Sequence, residues 1–235
     1  MNKTLLITGT SSEIAQSIIT MFAKEKYNII TTYKNNKKKS QDFVKQIKKE
    51  YQIDIKLYHL DITKEQDIKQ LYKKISKQNK NIDILINNAA IDMYINPLEI
   101  TKNTYNNILN TNLIGPYLMI KHYEKNNNKG TIINISSTDG INTYNPYRIS
   151  YCASKSALIN MTENLSLYLK NKIYTISPNW VETTSVNEIN PNELKEELNR
   201  IGQKKLIKKE EISKEILKLI KKEKKTGSNI IIKGE

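Results

Sequence analysis

Tyr151 and Lys155 stand one helical turn apart in the run Tyr151-Cys152-Ala153-Ser154-Lys155. On a helix, residues i and i+4 share a face, so phenol and ammonium can point into one cleft. A nearby cation favours phenolate and lowers a tyrosine pKa that starts near ~10. The pair can then act as a general acid or base close to neutral pH. In a chain this rich in both residue types, the same spacing also describes a surface tyrosine beside a solvated lysine. The choice between these readings lies in the runs around the pair.

Thr8-Gly9-Thr10-Ser11-Ser12-Glu13-Ile14-Ala15 follows the first apolar run. A helix N-terminus after the first strand of a parallel sheet offers unpaired N–H groups and a positive dipole end to a pyrophosphate. Gly9 permits the tight turn, and Ser11 and Ser12 add donors. With one glycine, the run also reads as an ordinary capped turn. Asn87-Asn88-Ala89-Ala90 ends a later apolar run, and adjacent asparagines there are costly to bury without a purpose. Asn134-Ile135-Ser136-Ser137 ends the next, and Asn112-Leu113-Ile114-Gly115 lies in the helix between.

The elements that must position these runs alternate strand and helix. Apolar and β-branched runs predict strands at Lys3–Thr8, Asn28–Tyr33, Ile53–Leu60, Ile82–Asn87, Thr131–Ser136, Ile173–Ser177 and Asn229–Lys233. Helical spacing marks Ser12–Lys24, Lys38–Glu50, the stretch after Asp61-Ile62-Thr63 to about Gln78, and Thr101–Tyr123 with an interruption near Gly115-Pro116. It also marks Tyr151–Lys170 and Ile212–Lys222. The pattern predicts an α/β fold, a parallel sheet with helices on both faces. Asn126-Asn127-Asn128 and Lys34–Lys39 read as solvated loops. Val186–Gln203 is polar and helix-prone, placed to cover a ligand.

The 235 residues suit one domain, 1–235, with no linker or repeat. The net charge of +14 admits an acidic partner, but the lysines are spread over most helices in mixed-sign runs. No Arg-rich stripe with interleaved aromatics and no metal-ligand spacing occurs, so neither nucleic acid nor a metal is expected. The single cysteine, Cys152, excludes an intrachain disulfide. No cleavable leader or bilayer-length apolar run is visible, so a cytoplasmic protein without membrane attachment is expected. His59 and His122 lack any partner pattern and read as structural.

In the order and spacing of these runs, from Thr8-Gly9 to Thr226-Gly227 and Ile230-Ile231-Ile232, the chain resembles the short-chain dehydrogenases/reductases. Its overall pattern is most similar to that of the 3-oxoacyl-[acyl-carrier-protein] reductases. The resemblance implies a doubly wound Rossmann-type domain with a seven-stranded parallel sheet. Residues 1–100 would mainly bind a nicotinamide cofactor, and 101–235 would carry catalysis and substrate. It implies Tyr151 as proton donor to a substrate carbonyl, Lys155 as the group lowering its pKa and binding the nicotinamide ribose, and Ser137 as holder of the carbonyl oxygen. Asn112 would anchor a water that relays protons. Gly9, Ser11, Ser12 and Ile14 would form the pyrophosphate turn, with Asp61 and Ile62 at the adenine and Asn87 and Ala89 at the adjoining ribose. Pro178, Val181 and Thr183 would meet the nicotinamide end. A homotetramer or homodimer packed through the helices containing Thr101–Tyr123 and Tyr151–Lys170 is also implied.

The chain departs from the family pattern at several points. Glu13 and Ala15 replace glycines, and Glu13 puts a carboxylate near the pyrophosphate unless it turns outward. Ala90, Asn179 and Glu235 also stand where glycines are usual. NAD enzymes of this fold place an acidic residue at the end of strand two. Here Tyr33 and Lys34 occupy that region, followed by Lys37, Lys38 and Lys39, so NADP(H) is expected over NAD(H). The substrate pocket would be lined by Asp92–Ile95, Thr138–Ile149 and Trp180–Gln203. A 3-oxoacyl thioester heads the substrate classes, followed by a sugar, polyol or other small carbonyl. A non-catalytic cofactor-sensing or binding protein is the alternative of another class.

Overall fold

The computed structural model describes residues 2–78, 81–126 and 129–234. Asn127, Asn128 and Glu235, named above, lie outside these. Among the described residues, seven strands run in the chain order β1 Thr4–Thr8, β2 Asn28–Tyr33, β3 Ile55–His59, β4 Ile84–Asn87, β5 Thr131–Ile135, β6 Lys172–Pro178 and β7 Asn229–Ile232. All pair in parallel in the sheet order β3-β2-β1-β4-β5-β6-β7. The order reverses between β1 and β4, which opens a crevice beyond their carboxyl ends. This is the doubly wound Rossmann-type arrangement.

The helices are α1 Glu13–Lys24, α2 Lys37–Tyr51, α3 Glu65–Ser76, α4 Lys102–Leu109, α5 Gly115–Asn126, α6 Ile149–Ser166, α7 Thr184–Asn187, α8 Pro191–Arg200 and α9 Lys209–Lys221. Successive strand residues point to opposite faces, so β1 feeds two cores. Leu5 and Ile7 join Phe22 of α1 and Ile212 and Ile216 of α9. Leu6 joins Leu71 of α3 and Met119 and Tyr123 of α5 on the other side. Each such residue, fully buried, stabilises the fold by about 1.5–3 kcal/mol.

The interruption expected near Gly115-Pro116 falls one turn earlier, as a π-helical segment at Asn110–Ile114. Pro116 has no N–H to give to the carbonyl of Asn112, so the regular bonding resets there. Gly115 packs on Ile62, whose side chain would lie 2.8 Å from any added Cβ. The helix expected from Tyr151 to Lys170 starts earlier and ends at Ser166. No helix among the described residues is long and apolar enough to cross a membrane.

Candidate active site

A cleft of about 870 Å³ lies along the carboxyl ends of the strands. It takes in Lys34 and Asp61, the turn Gly9 to Ile14, then Tyr151, Asp92 and Trp180. Gly9 adopts φ +86°, and a Cβ there would stand 3.1 Å from the Ala89 Cα, so the turn needs glycine for two reasons. Thr8 Oγ1 accepts from the N–H groups of Asn88 and Ala89 at 3.1 and 3.0 Å, stitching β1 to β4. Ser12 caps α1, its Oγ accepting from Ala15 N–H. The N–H groups of Glu13 and Ile14 in that first turn have no intrahelical acceptor, which suits an anion.

Glu13 turns outward. Its Oε1 accepts from the Thr184 N–H at 2.8 Å and its Oε2 from Lys209 Nζ at 2.9 Å. These contacts, the Thr184 N–H first, hold its carboxyl at about 2. The carboxylate therefore caps α7, whose N-cap Thr183 makes no side-chain cap of its own. Ser185, Val186 and Ile189 from this segment line the cleft, so part of the Val186–Gln203 stretch does cover it.

At the other end, α6 carries Tyr151 and Lys155. Tyr151 and Ser137 line the same end of the cleft, and Lys155 Nζ lies 5.4 Å from the Tyr151 ring centre. Lys155 is buried and donates to the Ile135 carbonyl at 2.8 Å. Ser137 begins the turn Thr138–Gly140, which packs flat on α6. A Cβ on Gly140 would come within 2.6 Å of the Lys155 carbonyl carbon. The expectation of a lowered Tyr151 pKa is corrected. Burial pushes the phenol above its usual range, and Arg148 offsets this only in part. Burial also pulls Lys155 down to about 8. The phenol is held in the protonated form, which is the state a proton donor requires.

Arg148 sits over the Tyr151 ring, 4.5 Å from its centre, and 5.5 Å from that of Trp180. Its Nε donates to Asp92 Oδ2 at 2.8 Å, and Nη2 stands 2.5 Å from the same oxygen. Nη1 donates to Asp139 Oδ2 at 2.6 Å. Asp139 is buried and also accepts from Thr143 Oγ1 at 2.6 Å. Gln203 brackets the backbone of Trp180, with its Oε1 accepting from the N–H and its Nε2 donating to the carbonyl. Nothing in the sequence links Trp180 to Gln203.

Most of the predicted site residues meet in the cleft: Gly9, Ser11, Ser12, Ile14, Lys34, Asp61, Ile62, Ala89, Ser137, Tyr151, Lys155, Pro178, Val181 and Thr183. Three predicted residues do not line it. Tyr33 turns its ring against His59, with centroids 5.4 Å apart. It precedes Lys34 and so points to the opposite face. Asn87 points into the sheet end and donates to Asn134 Oδ1 at 2.9 Å; Asn88 and Ala89 reach the cleft instead. Asn112 is buried, its amide engaged with the Ile91 backbone and Ser154 Oγ. Sequence reasoning missed Thr32, Asn35, Asn36, Asn107, Asn110 and Thr111, all in the lining. Asn107 on α4 and Asn110 and Thr111 in the π-helical segment after it recur at helical spacing, which was the available signal.

A doubly wound sheet with an anion-binding turn at its switch point, and a Ser–Tyr–Lys group beside it, defines a class of oxidoreductase. The model of the short chain dehydrogenase family matches residues 3–194, and the chain belongs to that family. It is 26% identical to a 3-oxoacyl-[acyl-carrier-protein] reductase of Staphylococcus epidermidis over 204 residues, 84% of this chain and 82% of the relative. It is 27% identical to glucose 1-dehydrogenase 2 of Bacillus subtilis over 99% of this chain and 93% of that one. Among solved structures, ElxO with NADP bound superposes with a TM-score of 0.82 at 27% identity, covering 100% and 98% of the two chains. The two relatives act on different compounds by name, so likeness alone selects no substrate. The protein is a short-chain dehydrogenase-type oxidoreductase.

Proposed function

We propose that the protein reduces a carbonyl compound with NADP(H), Tyr151 delivering the proton. The observation that carries this reading is the convergence of Ser137, Tyr151 and the buried Lys155 on one end of the cleft, with the Lys155 ammonium 5.4 Å from the Tyr151 ring centre. NADPH, when bound, supplies the hydride. Ser137 and Tyr151 then hold the substrate carbonyl oxygen, and Tyr151 gives its proton as negative charge develops there. The Lys155 ammonium stabilises the phenolate left behind. The side-chain amide of Asn112 is committed to Ile91 and Ser154, so a relay water would be anchored on its main-chain carbonyl, which Pro116 leaves without an N–H donor four residues on.

The residues present fit the cofactor. The Gly9 turn and the α1 N-terminus would take the pyrophosphate, Asp61 and Ile62 the adenine, Asn88 and Ala89 the adjoining ribose, and Pro178 to Thr183 the nicotinamide end. A 2′-phosphate would meet Lys34, with Asn35 and Asn36 beside it. Asn36 leaves the α2 N-terminus without a side-chain cap, and Lys37, Lys38 and Lys39 follow in its first turn. Lys34 is at present paired with Asp61 at 2.9 Å, so a phosphate would compete for an ammonium that is already engaged. ElxO, similar in fold and 27% identical, carries NADP.

A 3-oxoacyl thioester is the first substrate reading on likeness and a sugar, polyol or other small carbonyl the second. A cytoplasmic homodimer or homotetramer completes the proposal. Exposed Ile114 and Tyr117, and Leu167 and Tyr168 just beyond α6, support the helix faces assigned to that contact. Fluorescence titration with NADPH and NADH, followed by NADPH absorbance against a carbonyl panel, tests the reading. Tighter NADPH binding and turnover of at least one carbonyl are expected; binding of neither cofactor sinks it.

A further inference from the structure

The substrate end of the cleft is walled by charge. Asp92 comes from the loop after β4, Asp139 from the turn after β5, and Arg148 from just before α6. The guanidinium does not form the usual two-oxygen fork with Asp92. Nε and Nη2 converge on Oδ2 alone. Among the described residues, Asp92 Oδ1 has no partner, and Asp92 faces the cleft with 36% of its side chain exposed. A guanidinium carries five N–H groups. At most three are used here, so two stay free on Nη1 and Nη2. An acceptor and donors thus stand side by side next to the catalytic tyrosine, with Trp180 as an apolar face beside them.

Four ligand chemistries can be weighed against this wall. An alkyl chain, such as the methylenes that flank a 3-oxoacyl carbonyl, would cover the free carboxylate oxygen and the N–H groups without satisfying them, which is costly. A carboxylate would suit Arg148 alone, but two carboxylates flank it and the three groups sum to −1. An ammonium would suit Asp92 but accepts nothing from Arg148. A hydroxyl donates and accepts at once.

We propose that the substrate is a hydroxylated carbonyl compound of the sugar or polyol type, whose hydroxyl beside the reacting carbon is received by Asp92 Oδ1 and the free N–H groups of Arg148, with Trp180 against its C–H face. This rests on the carbonyl-reductase reading above and chooses among its substrates. Arg148 thereby becomes a specificity residue fixed from both sides by carboxylates.

The test compares matched carbonyls with NADPH and the purified chain: dihydroxyacetone and erythrulose, the deoxygenated ketones acetone and 2-butanone, an aminoketone, and an acetoacetyl thioester. The hydroxylated ketones are expected to exceed their deoxygenated partners in kcat/KM by on the order of 100-fold or more. Asp92→Ala should drive that ratio toward one. Because Trp180 is the only tryptophan, threitol added to the NADP-loaded protein should also quench its fluorescence, saturably. Equal or faster reduction of the deoxygenated ketones, the thioester or the aminoketone overturns the substrate class and leaves the reductase reading standing. A hydroxyl preference that survives Asp92→Ala overturns the assigned contact. No reduction of any carbonyl, with no quenching, overturns both.

Discussion

Both polar groups of the Asn112 side chain close on the backbone of Ile91. Nδ2 donates to its carbonyl at 2.8 Å, and Oδ1 accepts from its N–H at 2.9 Å. The amide thus acts as a strand neighbour for a loop residue that has none, and the next residue is Asp92. The second Nδ2 hydrogen goes to Ser154 Oγ at 3.1 Å, and Ser154 Oγ in turn donates to the Tyr151 carbonyl. The π-helical segment thereby ties the substrate wall to the helix that carries the proton donor.

Asn112→Ala leaves two backbone groups unpaired and should cost about 1–3 kcal/mol in urea unfolding. The catalytic effect should fall on the substrate side. We expect kcat/KM to drop by more than tenfold while the NADPH Kd changes little. A variant that loses cofactor affinity instead would show that the loop is not what Asn112 holds.

Tyr151→Phe removes only the hydroxyl. NADPH titration should give a Kd within a few-fold of the parent, and turnover should fall about 100- to 10,000-fold, the usual range for a general acid. Near-parental turnover of the same carbonyl would sink the assignment.

The pH profile follows from Lys155. Its pKa is lowered to about 8 by burial, so it is an ammonium below that pH and an amine above. Stabilisation of the forming phenolate is therefore present below about pH 8 and is lost as the pH rises through it. Reduction kcat/KM should be level on the acid side of the break and fall up to tenfold per unit beyond it. Oxidation of the alcohol needs phenolate, and burial raises the Tyr151 pKa, so that direction should keep rising into alkali. Lys155→Met should abolish the break in reduction.

Glu13 offers a structural prediction. Glu13→Ala removes the cap on the Thr184 N–H and the partner of Lys209. Hydrogen exchange in residues 183–203 should accelerate several-fold, and the KM for NADPH should rise. The carboxyl sits at about 2 when folded, against an ordinary 4.5. Its contribution is complete above the unfolded value and lost only as pH falls toward 2. Between pH 5 and 9 the exchange difference between parent and variant should hold steady.

The frame of the site was legible because it is periodic. Apolar runs such as Thr4–Thr8 admit one role in a parallel sheet, and Tyr151 and Lys155 share a face on any helix. Facing at strand ends was less legible. Asn87 and Asn88 are identical side chains one residue apart, and only the register with β5 sends Asn87 to Asn134 and Asn88 to the cleft. Tyr33 and Lys34 divide in the same way. The Tyr151 pKa was misjudged because spacing reports the nearby cation and not the burial that outweighs it. Asp92, Asp139 and Arg148 were visible as pocket residues, but their convergence needs three loops in place.

The tie between Glu13 and Lys209 joins the first helix to the last, as do Ser17 with Ser213 and Glu25 with Lys221. During synthesis, therefore, the phosphate-binding turn emerges long before the surface that braces it. Ile18 and Phe22 must wait for Ile212 and Ile216 before their core is complete. Contacts of such sequence separation form late and slowly. Lesions near residue 210 should therefore surface as nucleotide-binding defects far from any nucleotide.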